Sequence, residues 1–295
     1  MKFSIIIALA PERKILVLDS IKKLNYPKKD YEVIIKISKN ASKNRNEGTE
    51  EAKGEILAFI DDDCEVPKDL LKNAEKIFNS YPEISALGGP QLTPKNDSFF
   101  GKSVGLVMQT FLASAHMAKR YKKSKFSLNA TENYVTTANF FIKKDVFKKF
   151  YFDEKIWPGE DTKFFLQLIQ NNYKIAYSPD IYIYHKRRQN FKDLAKQHYK
   201  YGYVMKYLNK RLGFNFKTLI FLSPSIWFIY TLLSPLLYIL NKIFILPLII
   251  YLALIVINSI YLSIKKPLAL LLFPLIFLTI HYSYGLGFLI GKFKK

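Results

Sequence analysis

Two acidic clusters stand where carboxylates can do chemistry. The first, Asp61, Asp62 and Asp63 in AFIDDDCEVP, follows an apolar run without a break. Like charges this close repel, and each needs water or a partner. In an extended segment alternate side chains share a face, so Asp61 and Asp63 point together past the end of a strand. Two hard oxygen ligands suit Mg²⁺ or Mn²⁺, which take a few carboxylates and complete their shell with water and substrate phosphate oxygens. A cation and a phosphate ligand together make the repulsion tolerable. An acidic loop or helix start before Pro67 is the plainer alternative. The second cluster is Glu160 and Asp161 in WPGEDTKFF. A carboxylate at a helix start serves as a cap, and taken alone that explanation is preferred. Beside a nucleophilic hydroxyl it would serve as a general base.

These residues need a scaffold, and the apolar pattern supplies one. Phe3–Leu9 reads as a first buried strand. The opening MKFSIIIALAPE imitates a signal peptide but is too compact, with Pro11 after the supposed cleavage site. Pro11 and Glu12 open a helix predicted to run to about Leu24. YEVIIKI at 31–37 is a second strand, and a polar helix spans roughly Ser42 to Lys53 before Gly54 stops it. Strand 55–60 then ends at the aspartates. A helix after Pro67, a strand near Ile84–Leu87, an irregular or helical excursion over 91–134 and a strand at 135–142 follow. A helix over 160–171 and a short strand at 181–185 complete the series. Strands alternating with helices argue an α/β domain with a largely parallel sheet. Ligands of such sheets bind beyond the carboxyl ends of the strands, where Asp61–Asp63 lie.

The 295 residues carry a formal net charge of +21, unevenly placed. From Phe216 to Lys295 there is no Asp or Glu. A basic part is thus followed by an apolar one. No zinc-finger spacing and no basic region joined to heptads point to nucleic acid; lysines on a solvated surface account for most of the charge. The single cysteine, Cys64, excludes an internal disulfide and fits a reducing compartment. Residues 190–211 place lysines among Phe191, Tyr199, Tyr203 and Tyr207 at helical spacing. That suits an amphipathic helix on an anionic bilayer, or equally a solvated helix packed on the domain. Thr218–Leu240, Ile243–Ile264 and Pro267–Ile290 are apolar runs of more than 20 residues, interrupted only by His281. Each is long enough to cross a hydrocarbon core of about 30 Å. Lys265 and Lys266 oppose Lys292, Lys294 and Lys295 under the positive-inside rule, which leaves two or three full crossings.

The chain resembles a family 2 glycosyltransferase of the GT-A fold, specifically the membrane-bound branch related to succinoglycan and exopolysaccharide enzymes. The resemblance rests on SIIIALAPE, ASKNRNEGTEEAKGEILAFIDDDCEVP, ALGGPQLTP, TTANFFIKKDVF, WPGEDTKFFLQLIQNNYKIAYSPDIYIYHKRR and HYSYGLGFLIG. It implies a Rossmann-like, mostly parallel catalytic domain over 1–212, whose basic stretch 186–212 suits an interfacial helix. A transmembrane region of two to three helices over 213–295 follows. The Asp-X-Asp motif falls on Asp61 and Asp63, with Asp63 the direct ligand of Mg²⁺ or Mn²⁺. The Glu-Asp motif falls on Glu160 and Asp161, with Asp161 the catalytic base. His185 matches a histidine placed near the metal or diphosphate. Ala8, Glu12, Arg45, Asn46, Asp61 and Asp62 are expected on the donor side, and Trp157 against an acceptor sugar.

The implied reaction is an inverting hexosyl transfer from a nucleoside-diphosphate sugar to a lipid-linked saccharide. It would run at the cytoplasmic face of a multi-pass membrane protein among membrane lipids, with no nucleic-acid partner. Two departures bear on this. Lys36-Ile37-Ser38-Lys39 stands where relatives carry Asp-Asp-Gly-Ser, so the carboxylate associated with the nucleobase is missing. The Gln-X-X-Arg-Trp motif of processive synthases is absent after His185, which argues against long-chain polymerisation. Direct transfer onto a polyprenyl phosphate is the alternative within the class. A non-catalytic sugar-nucleotide-binding membrane scaffold is the alternative outside it.

Overall fold

A computed structural model describes residues 1–156, 159–212 and 219–291, with the side chains of 207–212 and 219–220 excepted. Trp157, the side chains of Tyr207, Lys210 and Arg211, and the cluster Lys292, Lys294 and Lys295 therefore lie outside the described residues. The chain begins with β1 (Phe3–Leu9), α1 (Leu18–Ile21), β2 (Tyr31–Ile37), α2 (Ala41–Glu51), β3 (Ile56–Ile60) and β4 (Cys64–Glu65). Then come α3 (Leu70–Ser80), β5 (Ala86–Gly88), β6 (Gln91–Leu92), α4 (Phe99–Met108), α5 (Phe111–Ser114), β7 (Asn139–Lys143) and α6 (Lys144–Phe147). The remainder is α7 (Glu160–Gln170), β8 (Ile175–Tyr177), β9 (Ile183–His185), α8 (Phe191–Leu212), α9 (Leu219–Leu240), α10 (Leu246–Ser263) and α11 (Leu272–Ile290).

Contacts divide the chain into two compact units, Met1–Pro94 with His116–Lys186, and Lys95–Ala115 with Arg187–Lys295. The first is built on a six-stranded sheet of order β2-β1-β3-β7-β5-β8 and a three-stranded sheet β4-β9-β6. β1 runs parallel to β2 and β3, and β5 parallel to β8, whereas β7 is antiparallel to both its neighbours. The α/β sheet is thus mostly parallel but mixed.

Period-two alternation assigns the strands' apolar residues to opposite faces. Phe3, Ile5, Ile7, Ala58, Ile60 and Phe141 meet one core, with Val17, Leu70, Leu71, Ala74 and Phe78 from the α1 and α3 side. Ile6, Leu57, Phe59, Phe140 and Ile142 meet the other, with Val146, Phe147, Phe164, Phe165 and Leu168 from α6 and α7. Helices on both faces explain why β3 reads as an unbroken apolar run and β1 as one interrupted only by buried Ser4, whose hydroxyl donates to Glu32. Burying each such side chain is worth roughly 1.5–3 kcal/mol.

Two expectations on the elements fail. The strand expected from Val135 begins only at Asn139, because a turn with the Asn139 N–H donating to the Thr136 carbonyl precedes it. The helix predicted from Pro11 to about Leu24 is reduced to α1. The backbone N–H groups of Leu16 and Val17 donate to the Asp62 carbonyl, at 2.8 and 3.1 Å, rather than to carbonyls of their own turn. The β1–α1 connection is thereby laced to the tip of β3.

In the second unit α8 packs along α11 with backbones in contact. A Cβ on Gly202 would lie 2.1 Å from the Tyr284 carbonyl oxygen, and one on Gly287 would lie 2.0 Å from that of Tyr199. Only glycine permits that approach. Three helical segments, Phe221–Leu240, Lys242–Ser263 and Leu272–Ile290, are long and apolar enough to cross a membrane. Ile239, Ile264, Leu268 and Leu271 stand more than 70% exposed, an apolar surface that lipid would cover. Within this unit His281 Nδ1 and Nε2 lie 2.8 Å from the Tyr251 hydroxyl and the Leu112 carbonyl. Buried Asp97 accepts hydrogen bonds from the Arg187 and Ser98 N–H groups and from the Gln189 amide.

Candidate active site at the end of the third strand

β3 delivers the three aspartates beyond the sheet, and each turns to a different task. Asp61 Oδ1 lies 3.3 Å from Arg45 Nη2. Asp62 points back into the protein, where its buried carboxylate meets Arg13 Nε at 3.0 Å. Asp63 is gripped from both sides: its Oδ2 accepts from Arg13 Nη2, and its Oδ1 lies 2.9 Å from His185 Nε2. His185 reaches it because β9 pairs antiparallel with β4, setting His185 opposite Cys64.

The charges respond to these surroundings. Burial would raise the Asp63 pKa, but the His185 hydrogen bond and the charges of His185 and Arg13 outweigh it and hold the carboxyl well below the usual carboxylate range. Burial, helped by the neighbouring Asp63 charge and opposed by Arg13, pushes Asp62 up to about 6. The same aspartates raise Arg13 against its own desolvation.

The second acidic cluster is joined to the first by one side chain. Arg45 of α2 is buried, and its Nη1 donates to Glu160 Oε1 at 2.8 Å while its Nη2 faces Asp61. Its guanidinium also lies over the Phe152 ring, 5.5 Å from the centroid. Burial works against the arginine's charge, but Glu160 and Asp61 hold its pKa above the ordinary value. For Glu160, burial and the Asp161 charge push upward while Arg45 opposes. The adjacent Asn46 pins the loop that leads to α7: its amide nitrogen donates to the Phe152 carbonyl and Glu154 Oε1, both at 3.0 Å, and its oxygen accepts from the Phe152 N–H.

Gly159, at φ 108°, turns the chain into α7 without a side-chain cap. Left-handed backbone of this kind favours glycine. Asp161 follows in the first turn, its Oδ1 accepting from the Thr162 N–H at 2.7 Å.

The structure therefore brings Asp61, Asp63, Arg45, Glu160, Asp161 and His185 into one linked region. It does not bring Glu12 there: that side chain is exposed, and no hydrogen bond or ion pair joins it to the aspartates among the described residues. Ala8 sits near the carboxyl end of β1, paired in register with Lys36. Asn46 and Asp62 are engaged by Phe152 and Glu154 and by Arg13. Arg13 is the participant that sequence reasoning missed; its one signal was a cation soon after the first strand ends.

A divalent cation fits the donor set. Ligand atoms of Asp63, Cys64 and His185 lie within 4.8 Å of one another. The carboxylate suits Mn²⁺ or Mg²⁺, the remaining positions going to water and diphosphate, while the imidazole favours a transition metal over Mg²⁺. Arg13, 49% exposed, now neutralises the same carboxylate.

A family profile, glycosyl transferase family group 2, matches residues 56–290. An uncharacterized glycosyltransferase of Methanocaldococcus jannaschii is 26% identical over 184 residues, which cover 60% of this chain and 59% of that protein. The chain thus spans under two thirds of that relative's length. A dolichyl N-acetyl-alpha-D-glucosaminyl phosphate 3-beta-D-2,3-diacetamido-2,3-dideoxy-beta-D-glucuronosyltransferase of Methanococcus voltae is 28% identical over 287 residues, 94% of this chain and 84% of that one. Among solved structures, the mannosyltransferase PcManGT of Pyrobaculum calidifontis, in complex with GDP-Man and Mn²⁺, superposes with a TM-score of 0.57. It shares 15% identity over 97% of this chain and 85% of its own, a likeness of fold. Its GT-A architecture agrees with the mostly parallel mixed sheet found here. The chain belongs to glycosyl transferase family group 2.

Proposed function

We propose that this glycosyltransferase moves a sugar, with inversion, from a nucleoside-diphosphate sugar to a lipid-linked saccharide at the cytoplasmic face of a membrane. The observation that carries the reading is Arg45, which ties the metal-type carboxylates of β3 to the Glu160-Asp161 pair of α7. A donor site and a base held in fixed relation are what an in-line displacement needs. Residues 1–212 would carry the chemistry and 213–295 the membrane anchorage. The curated relative from Methanococcus voltae is named for a dolichyl-phosphate-linked substrate, which supports a lipid-linked acceptor over a soluble one.

Asp63 and His185 would hold Mg²⁺ or Mn²⁺, with Asp61 on its water shell or the ribose; the family neighbour bound to Mn²⁺ supports a divalent ion. When bound, the ion neutralises charge developing on the departing diphosphate. Asp161 would take the proton of the acceptor hydroxyl as that oxygen attacks the anomeric carbon opposite the diphosphate. Glu160, held by Arg45, would fix the first turn of α7 and so the position of Asp161. Arg13 would release Asp63 when the cation enters. Ala8, Asn46 and Asp62 would act through the shape of the donor side, from which Glu12 stands apart.

The test is a donor screen with membranes containing the full chain and a polyprenyl-linked saccharide acceptor. The reading expects a radiolabelled sugar from one nucleotide donor to enter the lipid fraction only with divalent metal. Label appearing on polyprenyl phosphate alone would favour a sugar-phosphate synthase. No transfer and no donor hydrolysis with any nucleotide sugar would contradict the reading.

A further inference from the structure

Cys64 is the chain's single cysteine, and it sits against the carboxylate that the metal reading needs. β4 and β9 pair so that Cys64 faces His185 directly, and opposed residues send their side chains to one face of a sheet. Asp63, one residue earlier, already hydrogen-bonds that imidazole. Oxygen, sulfur and nitrogen atoms of the three side chains lie within 4.8 Å of one another. Tetrahedral zinc, with bonds of about 2.0–2.3 Å, holds its ligand atoms roughly 3.3–3.6 Å apart, so modest side-chain rotations close the set. His185 Nε2 donates to the Asp63 carboxylate, and Nδ1 is buried without a hydrogen-bond partner among the described residues, so a cation replacing the Nε2 proton competes with that one ring hydrogen bond.

The donor set has two characters. Its carboxylate face suits hard ions, which draw the rest of their shell from water and phosphate. Its sulfur and imidazole suit borderline and soft ions, for which three protein ligands and one open position make a complete site. We propose that Asp63, Cys64 and His185 form a binding site for a thiophilic divalent cation of the Zn²⁺ class, which displaces the hard cation and blocks the donor diphosphate from Asp63. The thiol proton leaves to solvent when the sulfur binds. Transfer would then be inhibited by zinc and restored by a chelator followed by Mn²⁺. The inference shares Asp63 and His185 with the metal reading above, but the zinc site itself does not require that reading to hold.

Full-length protein in detergent is titrated with Co²⁺, whose thiolate complexes show a sulfur-to-metal charge-transfer band in the near ultraviolet. The expected result is a saturable band in the wild type, displaced by Zn²⁺ and lost in Cys64→Ser and Cys64→Ala. Zn²⁺ affinity in those variants should fall at least as far as the roughly 10–100-fold that loss of an outer-shell partner costs. Should both cysteine variants fail to fold, Asp63→Asn keeps the sulfur and must shift the titration to higher Co²⁺. No band in the wild type, or a band whose midpoint Asp63→Asn leaves unchanged, overturns the proposal. Mn²⁺-dependent binding of nucleoside diphosphate without a thiolate band would remove the zinc site and keep the hard-metal reading. A thiolate band with metal-independent nucleotide binding would do the reverse.

Discussion

The two acidic clusters of the site are neutralised in opposite ways. Asp63 faces Arg13 and His185, with the three side chains 29%, 49% and 20% exposed. Glu160 faces Arg45, and both of those side chains are only 8% exposed. Under the proposed function the Asp63 charge is handed to an incoming cation, and it sits at the solvent edge beside a half-exposed arginine. A charge that has to keep α7 in place is buried with a partner that cannot leave cheaply: removing one member of a buried pair strands the other without solvent. Asp61 lies between these regimes, 31% exposed yet bonded to the buried arginine.

The sharpest break of that comparison falls at Asp161, beside the fixed pair. Asp161→Asn should lower transfer by about 10²–10⁴, the usual cost of losing a general base, while donor binding by calorimetry stays near wild type. Next in size is Arg45→Gln. Leaving Glu160 buried and unpaired should destabilise the protein by about 3–5 kcal/mol, seen as a lowered thermal midpoint. Adding Glu160→Gln should recover much of that loss, because the stranded charge goes with it.

The helical unit supplies a buried group with no such ion pair. Burial, with His281 and Arg188 nearby, depresses the His198 pKa to about 3. A histidine depressed on folding contributes no pH-dependent loss above its unfolded value near 6.5, and stability falls as pH drops below it toward the folded value. Between those limits the slope approaches about 1.4 kcal/mol per pH unit for one proton. His198→Gln should flatten that part of the stability–pH curve, measured by thermal melting from pH 7 to 4.5. The smallest stability effect is expected at the exposed partner. Arg13→Gln should cost less than Arg45→Gln but more than the ~1 kcal/mol of a surface pair, because buried Asp62 also loses its partner. Yet it should tighten Mn²⁺ binding measured without nucleotide, because a competitor for Asp63 is gone. Arg45→Gln should not.

The frame of the site was legible where local pattern decides structure. β1 and β2 occupy the residues that their apolar runs marked, and β3 begins one residue late; β1 and β3 are buried on both faces, whereas edge strand β2 is mostly half-buried. The start of α7 at Glu160 was equally plain from the polar-to-apolar change after Gly159. Long-range hydrogen bonds were not legible. Nothing near Pro11 says that Leu16 and Val17 will bond to Asp62, so the first helix was overcalled. Arg45, expected on the donor side, gives no local sign of its partner Glu160, 115 residues away. The basic, aromatic segment 190–211 left its packing surface open; the close approaches at Gly202 and Gly287 and the Lys206 hydrogen bond to the Leu289 carbonyl show that α8 lies against α11.

The central claim is that Asp63 exchanges Arg13 for a divalent cation that a nucleoside diphosphate helps to hold. Isothermal titration of the full chain with UDP and GDP, with and without Mn²⁺, addresses it directly in wild type and Asp63→Ala. The account predicts binding of at least one nucleotide that requires Mn²⁺ in the wild type and is lost in Asp63→Ala, while circular dichroism shows both proteins folded. Metal-dependent binding that survives unchanged in Asp63→Ala would contradict it.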